Sequence, residues 1–214
     1  MKISILANKK SWIVLYANKL LNLLKKRHIV KLLWDHNQVS NGDILVILSY
    51  EKLIPERILK RNKNNLVVYE SDLPKGRGWS PFIWQILKRK NVITITLFEA
   101  AKKVDSGEIY LQEKMDFAVH ELVDELRAVQ GKHTIDLVMK YIRGYGCIKP
   151  QEQKGRPSFF RRRLPQDSEL NINSSIKQQF NLLRVVDNVK YPAFFRYKGH
   201  KYILRINKAD DEDR

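Results

Sequence analysis

Two short stretches carry residue types that could do chemistry. In Val104-Asp105-Ser106-Gly107 a carboxylate sits in a tight turn. Such a group can take up a proton or hold a nucleophile in line, although turns favour aspartate in any case. The second stretch runs Val67-Val68-Tyr69-Glu70-Ser71-Asp72-Leu73-Pro74-Lys75-Gly76-Arg77-Gly78-Trp79-Ser80-Pro81. A short apolar run stops, a polar loop with two glycines follows, and Ser80-Pro81 offers a helix start through a serine cap and a proline that needs no N–H partner. A strand, an exposed loop and a helix N-terminus in that order is where open α/β sheets place ligands. Ser71, Asp72, Lys75, Arg77 and Gly78 are the candidate substrate contacts of this loop, with Arg162 and Arg163 further on. Lysine would meet a phosphate as a point charge, and arginine could meet it through two parallel bonds.

The bulk numbers narrow the class. The 214 residues suffice for a real core, 43% of them are hydrophobic, and Cys147 is the only cysteine. That excludes a disulfide framework and a cysteine metal cluster. The five histidines share no ligand spacing. No apolar run reaches membrane-span length, and the first residues lack a cleavable signal pattern, so the expectation is a soluble, cytoplasmic protein. Forty Lys+Arg against 23 Asp+Glu, a net charge of +17, predict attraction to phosphate-bearing partners or polyanions. The basic residues are scattered, however, and charge runs are usually solvated faces.

The elements that must position these residues alternate. Residues 2–7 read as a strand, and Ser11 can cap a helix to about residue 27 whose buried stripe is Trp12, Tyr16, Leu20, Leu23 and Leu24. Strands are expected at 28–34 and 43–48, the latter a continuous apolar run suited to burial on both faces. A short helix ends near residue 60, residues 62–65 read as a turn, and a strand at 66–69 feeds the loop. A helix from 81 to about 90 follows, then a strand at 92–98 and its hairpin-like return at 108–115, with Asp105 in the connection. Two helices are expected, at 118–129 and 133–145, then an irregular basic stretch at 151–164, a helix at 175–186, and strands at 192–197 and 200–206. The pattern is that of βαβ units around a parallel sheet. Neither G-x-G-x-x-G nor a Walker loop follows the first strand, which excludes the usual dinucleotide and P-loop modes.

With the loop and the Asp105 turn together, the chain resembles the formyltransferases that use 10-formyltetrahydrofolate, and within them the branch that N-formylates nucleotide-activated amino sugars, including those of pseudaminic-acid-type pathways. Ser71-Asp72-Leu73-Pro74-Lys75-Gly76-Arg77-Gly78 stands in the family's Ser-x-Leu-Pro and Arg-Gly frame, and residues 49–55 match its Ser-Tyr-x-x-x-Ile-Pro type of loop. Asp105 with Gly107 matches the catalytic Asp-x-Gly turn, and Arg162-Arg163-Leu164-Pro165 with Asp167, then Leu183-Arg184, look like the sugar branch. Tyr69 stands where the family carries its acid–base histidine, and Val67 where it carries an asparagine.

The resemblance implies a Rossmann-like α/β formyltransferase fold with a mostly parallel sheet and a small C-terminal α/β appendage. Its implied organisation is a catalytic domain over 1–150, a substrate-binding unit over 151–208 and a frayed tail over 209–214. It implies an enzyme that uses 10-formyltetrahydrofolate as formyl donor, no metal, and a nucleotide-linked amino sugar as acceptor. Asp105 and Tyr69 would be catalytic, and Tyr50, Leu53, Ile54, Phe98, Glu99 and Ala100 would line the pteridine pocket. Formyl transfer needs a neutral amine, a donor to the developing oxyanion and a proton relay. A tyrosine, with an ordinary pKa of about 10, is a poor base but a good hydrogen-bond donor. Tyr69 could be compensated, for instance by His36, could mark an impaired protein that still binds folate or nucleotide sugar, or could simply plug the strand end. Trp79 and Trp84 suit packing and stacking equally. Formylation of initiator methionyl-tRNA is the alternative on the same fold; that family carries a longer C-terminal domain for the RNA, so nucleic acid is not expected as partner. The C-terminal unit could serve as the surface of a homodimer.

Overall fold

The computed structural model describes residues 1–209. Strands β1 (Lys2–Ala7), β2 (Ile29–Leu33), β3 (Gly42–Leu48), β4 (Asn62–Tyr69), β6 (Val92–Glu99) and β7 (Ile109–Asp116) form one sheet in the order β2-β1-β3-β4-β6-β7. The four N-terminal strands run parallel, and β6 and β7 are added antiparallel. A two-residue strand, β5 (Arg77–Gly78), lies outside this sheet and pairs in parallel with β8 (Phe159–Phe160). Strands β9 (Ala193–Tyr197) and β10 (His200–Leu204) make a separate antiparallel hairpin. The expected α/β fold with a mostly parallel sheet is therefore present.

The sheet is covered on both faces, and the alternation of side chains along a strand assigns each residue to one of them. Ile3, Ile5 and Ala7 of β1 and Ile44, Val46 and Leu48 of β3 face a large core with helices α1 (Val14–Lys25) and α4 (Val123–Arg143). Leu6, Leu45 and Ile47 face a smaller cluster with Ile58 of the short helix α2 (Glu56–Leu59). This is why the run at 43–48 is apolar throughout. Helix α3 (Pro81–Leu87) sends Phe82 and Ile86 into the large core, and α5 (Ile176–Val185) packs beside α3.

Several expectations are corrected. Residues 62–65 are strand, not turn: Asn62, Asn64 and Asn65 pair with Gly42, Ile44 and Leu45. Residues 118–145 hold one helix, not two, because Gly131 does not break it. A Cβ at Gly131 would lie 2.3 Å from the Tyr16 ring, so the glycine lets α1 and α4 approach closely. In α1 the buried stripe uses Ala17 with Leu20 and Leu24, whereas Leu23 is exposed. Ser80 precedes α3 but makes no side-chain cap; it adopts a left-handed conformation at φ 48°. The tail expected over 209–214 falls, beyond Ala209, outside the described residues.

Candidate active site

Parity along β4 decides which residues share the cleft. Leu66 and Val68 point into the large core, so Val67 and Tyr69 point to the opposite face, where Val67 packs on the smaller cluster with Tyr50, Ile54 and Ala100. Phe98, opposite Val67 in β6, is buried and meets the Tyr69 ring edge to face at 6.3 Å.

At the C-terminal end of β4 three groups converge. The Tyr69 hydroxyl donates to the Gly78 carbonyl, and the Gly78 N–H donates to Asp105 Oδ2 at 3.0 Å. The hydroxyl also lies beside the Asp105 carboxylate. Asp105 reaches this point because its backbone is left-handed, at φ 56°. Gly107 allows the turn to lie on β6, since a Cβ there would stand 1.7 Å from the Glu99 carbonyl oxygen.

The electrostatics of the pair differ in a useful way. Burial raises the Asp105 pKa above the ordinary carboxylate value, while the Gly78 N–H, Arg77 and Tyr69 oppose that rise. Tyr69 is pushed far above its ordinary pKa, first by burial and then by the negative charge of Asp105. The phenol therefore stays protonated at any physiological pH, and of the two groups only the carboxylate can accept a proton.

The rest of the loop is held from a distance in sequence. The Gly76 N–H donates to Ser158 Oγ at 2.8 Å, and the Arg77 N–H donates to the Ser158 carbonyl at 2.9 Å. Arg77 is buried and donates to Gln153 Oε1 at 2.7 Å. Gln153 Nε2 in turn donates to the carbonyls of Asp105 and Gly107, at 3.0 and 2.8 Å. Asp72 and Lys75 are exposed on the loop surface. Arg162 stacks its guanidinium on Trp79 at 4.8 Å, immediately after Gly78, and Arg161 stacks on Trp84 at 4.7 Å. These two pairs flank the loop.

Three candidate residues have other duties. Ser71 is buried and its hydroxyl donates to the Lys75 carbonyl at 2.6 Å, which braces the loop. Arg163 turns away into the C-terminal unit, where it donates to Ser168 Oγ at 3.0 Å. The Glu99 carboxylate accepts from the Asn65 N–H at 2.6 Å and from the Tyr110 hydroxyl at 2.9 Å, tying β4 to β6 and β7. Tyr50 holds His36 through Nδ1 at 2.9 Å, which gives that histidine a local partner away from the Tyr69–Gly78–Asp105 bonds. Leu53 is exposed. Among the described residues no cluster of His, Cys, Asp or Glu could hold a metal ion.

A pteridine needs a flat apolar surface with polar groups at its rim. Tyr50, Ile54, Val67 and Ala100 offer one: all are partly exposed, and all rest on the buried floor of Leu6, Val39, Leu45, Ile47 and Ile58. The residues present thus fit a folate ring on the same sheet face as Tyr69. Gln153 and Ser158 are the site residues that the sequence left unread. They lie in a stretch with no periodic signal and act on a loop some eighty positions earlier.

A family model described as "Formyl transferase" matches residues 10–135. A methionyl-tRNA formyltransferase of Thermodesulfovibrio yellowstonii is 26% identical over 149 residues, 67% of this chain and 48% of that protein. The chain spans about half the length of the methionyl-tRNA formyltransferases it matches. Among solved structures, a methionyl-tRNA formyltransferase from Clostridium thermocellum superposes with a TM-score of 0.84 at 20% identity, covering 99% of this chain and 95% of its own. A sugar N-formyltransferase from Shewanella sp. gives 0.72 at 13% identity, with 98% of both chains covered. Likeness at such identities speaks for the fold, and the family match over more than half of the 214 residues speaks for kinship. The chain belongs to the formyl transferase family.

Proposed function

We propose that the protein transfers a formyl group from 10-formyltetrahydrofolate to the amino group of a nucleotide-linked amino sugar. The observation that carries this reading is the convergence of Asp105, the Gly78 N–H and the Tyr69 hydroxyl at the open end of β4. When bound, the folate supplies the formyl carbon, and Tyr50, Ile54, Val67 and Ala100 would hold its ring. Asp105, with a pKa raised by burial, would take the proton that the acceptor amine loses as its nitrogen bonds to the formyl carbon, and would return that proton to the folate nitrogen as the formyl C–N bond breaks and tetrahydrofolate leaves. Tyr69, locked as a donor, keeps the Gly78 backbone in place. Lys75 and the Arg162–Trp79 stack are available to the phosphates and the ring of the nucleotide. The unit over 151–208 would present this acceptor side, and a homodimer through the C-terminal hairpin fits the same reading.

A second reading has its own support: the curated relatives quoted are methionyl-tRNA formyltransferases, and the net charge is +17. In that case the acceptor is the amine of a charged tRNA. A third follows from Tyr69, because a site without a neutral-pH base at that position could bind folate without turning over. Incubation with 10-formyltetrahydrofolate and either methionyl-tRNA or a panel of nucleotide-linked amino sugars, beside a folate-binding measurement, separates them. A mass gain of one formyl group on one sugar supports the proposal. Formylation of methionyl-tRNA alone favours the second reading, and folate binding without any turnover favours the third.

A further inference from the structure

Gln153 bridges the Arg77 guanidinium and the backbone of the turn that carries Asp105. Its Oε1 accepts from Arg77 at 2.7 Å, and its Nε2 donates to the backbone carbonyls on both sides of Ser106, those of Asp105 at 3.0 Å and Gly107 at 2.8 Å. Its backbone context is fixed two residues earlier, where Gln151 exchanges both hydrogen bonds with Ile109 at 2.7 and 2.8 Å. Arg77 is 7% exposed, its Nε is buried without a partner, and Gln153 is its only side-chain hydrogen-bond partner among the described residues. The guanidinium acts on the Asp105 carboxylate through space, with no contact ion pair between them.

That combination is unusual in a buried setting. A desolvated guanidinium close to a desolvated carboxylate gains most by closing onto it, and a direct pair would pull the carboxylate pKa down by about 1–3 units. A carboxylate so neutralised is a poor proton acceptor at neutral pH. Gln153 removes the incentive on one side, by satisfying a guanidinium N–H with a neutral oxygen. On the other side it clamps the turn that carries the carboxylate. We infer that Gln153 is a positioning residue that spaces Arg77 from Asp105, so that the carboxylate feels the positive charge without being captured by it. The value of this spacing for proton transfer rests on the formyl-transfer reading, but the spacing itself does not.

The ionisable side chains that act on Asp105 are Tyr69 from β4 and Arg77 from β5. Three substitutions therefore have distinct signs. In Gln153→Leu the guanidinium loses its acceptor and turns to Asp105, so the carboxyl titration midpoint falls by about one pH unit or more. In Gln153→Glu the new carboxylate keeps Arg77 but gives up the two bonds to the turn carbonyls, and its negative charge near Asp105 raises the midpoint, so this variant separates the charge effect from the capture in Gln153→Leu. In Gln153→Leu with Arg77→Met nothing remains to capture the carboxylate, and the midpoint returns to or above that of the unaltered protein. The measurement is a ¹³C NMR titration of the aspartate carboxyl carbons, with the Asp105 signal assigned from its absence in Asp105→Asn. It requires no substrate, so it stands or fails independently of turnover. A Gln153 that only stiffened the turn would let water in on removal. The fall in Gln153→Leu would then persist when Arg77→Met is added; that pattern, or no movement in Gln153→Leu, overturns the proposal. If the leucine variant does not fold, Gln153→Met, nearer in length and likewise without an acceptor for Arg77, takes its place with the same expected fall, and no fall there overturns the proposal.

Discussion

Gly107→Ala tests the Asp105 turn by geometry alone, since it changes no charge and no polar group. The new Cβ would stand 1.7 Å from the Glu99 carbonyl oxygen and 2.7 Å from its carbon, both backbone atoms of β6. Real Cβ contacts stay beyond 3.0 Å, so the turn must move off the strand by about 3.0 − 1.7 = 1.3 Å at least. A displacement of that size takes Asp105 Oδ2 out of reach of the Gly78 N–H, now at 3.0 Å, and pulls the Gly107 carbonyl from Gln153, now at 2.8 Å. Misplacing a reacting group by roughly 1 Å can cost about 10²-fold in rate. Overpacking of this kind costs roughly 1–3 kcal/mol of stability. For a chain of this size that lowers Tm by about 2–12 °C. The assay is kcat/KM for formyl transfer beside a thermal melt. The expected result is a hundredfold loss of activity in a protein that still melts cooperatively; full activity in Gly107→Ala would refute the placement of Asp105 against Gly78.

Three further outcomes follow from the same geometry. Tyr69→His removes the hydroxyl that holds the Gly78 carbonyl, and turnover should fall; a rise would show that a group titrating near neutral pH serves the site better than the tyrosine does. Asp105→Asn should melt higher than the unaltered protein at pH 7. The folded-state pKa of Asp105 is raised, so the folded form binds more protons and the carboxylate costs stability as pH rises from the unfolded value through the folded one. The Tm difference should shrink towards pH 4, and a difference that grows in acid would contradict the sign. Gly131→Ala should destabilise although alanine is the better helix former by roughly 1 kcal/mol, because its Cβ would meet the Tyr16 ring at 2.3 Å. A thermal melt with unchanged or raised Tm would show that α1 and α4 have slack there.

The parts of the fold that were legible are those where burial and periodicity agree. The run at 43–48 and the alternation at 92–98 specify strands because their apolar side chains fall on core faces, Ile44, Val46 and Leu48 on one and Leu45 and Ile47 on the other, with Ile93, Ile95 and Leu97 alternating on the first. The asparagines at 62, 64 and 65 read as a turn by composition, yet their backbones complete β4 beside β3, a fact fixed by the partner strand. The gap left between the helices expected at 118–129 and 133–145 is filled by continuous helix, where Gly131 lies against Tyr16 of another helix, a contact that local propensity does not reveal. At the site, the sequence motifs brought Asp105, Tyr69 and Gly78 to attention, and the structure joins them by hydrogen bonds. It gave no warning that Ser71 would be spent on Lys75, Arg163 on Ser168 and Glu99 on Asn65 and Tyr110. Nor could it reveal Gln153 and Ser158, whose partners become neighbours only when β8 pairs with β5. Motif spacing carries the chemistry of a loop; it is silent about the distant segment that holds the loop still.

The central claim is that Asp105 is the proton acceptor of a formyl transfer, and one comparison tests it most directly. Single-turnover formylation of the responsive acceptor is measured for the unaltered protein and for Asp105→Asn, together with the folate dissociation constant of each. The account predicts that the rate falls by about 10²–10⁴-fold while the dissociation constant stays within a few-fold. An Asp105→Asn protein that turns over at the original rate, or one whose rate falls only as far as its folate affinity does, would contradict it.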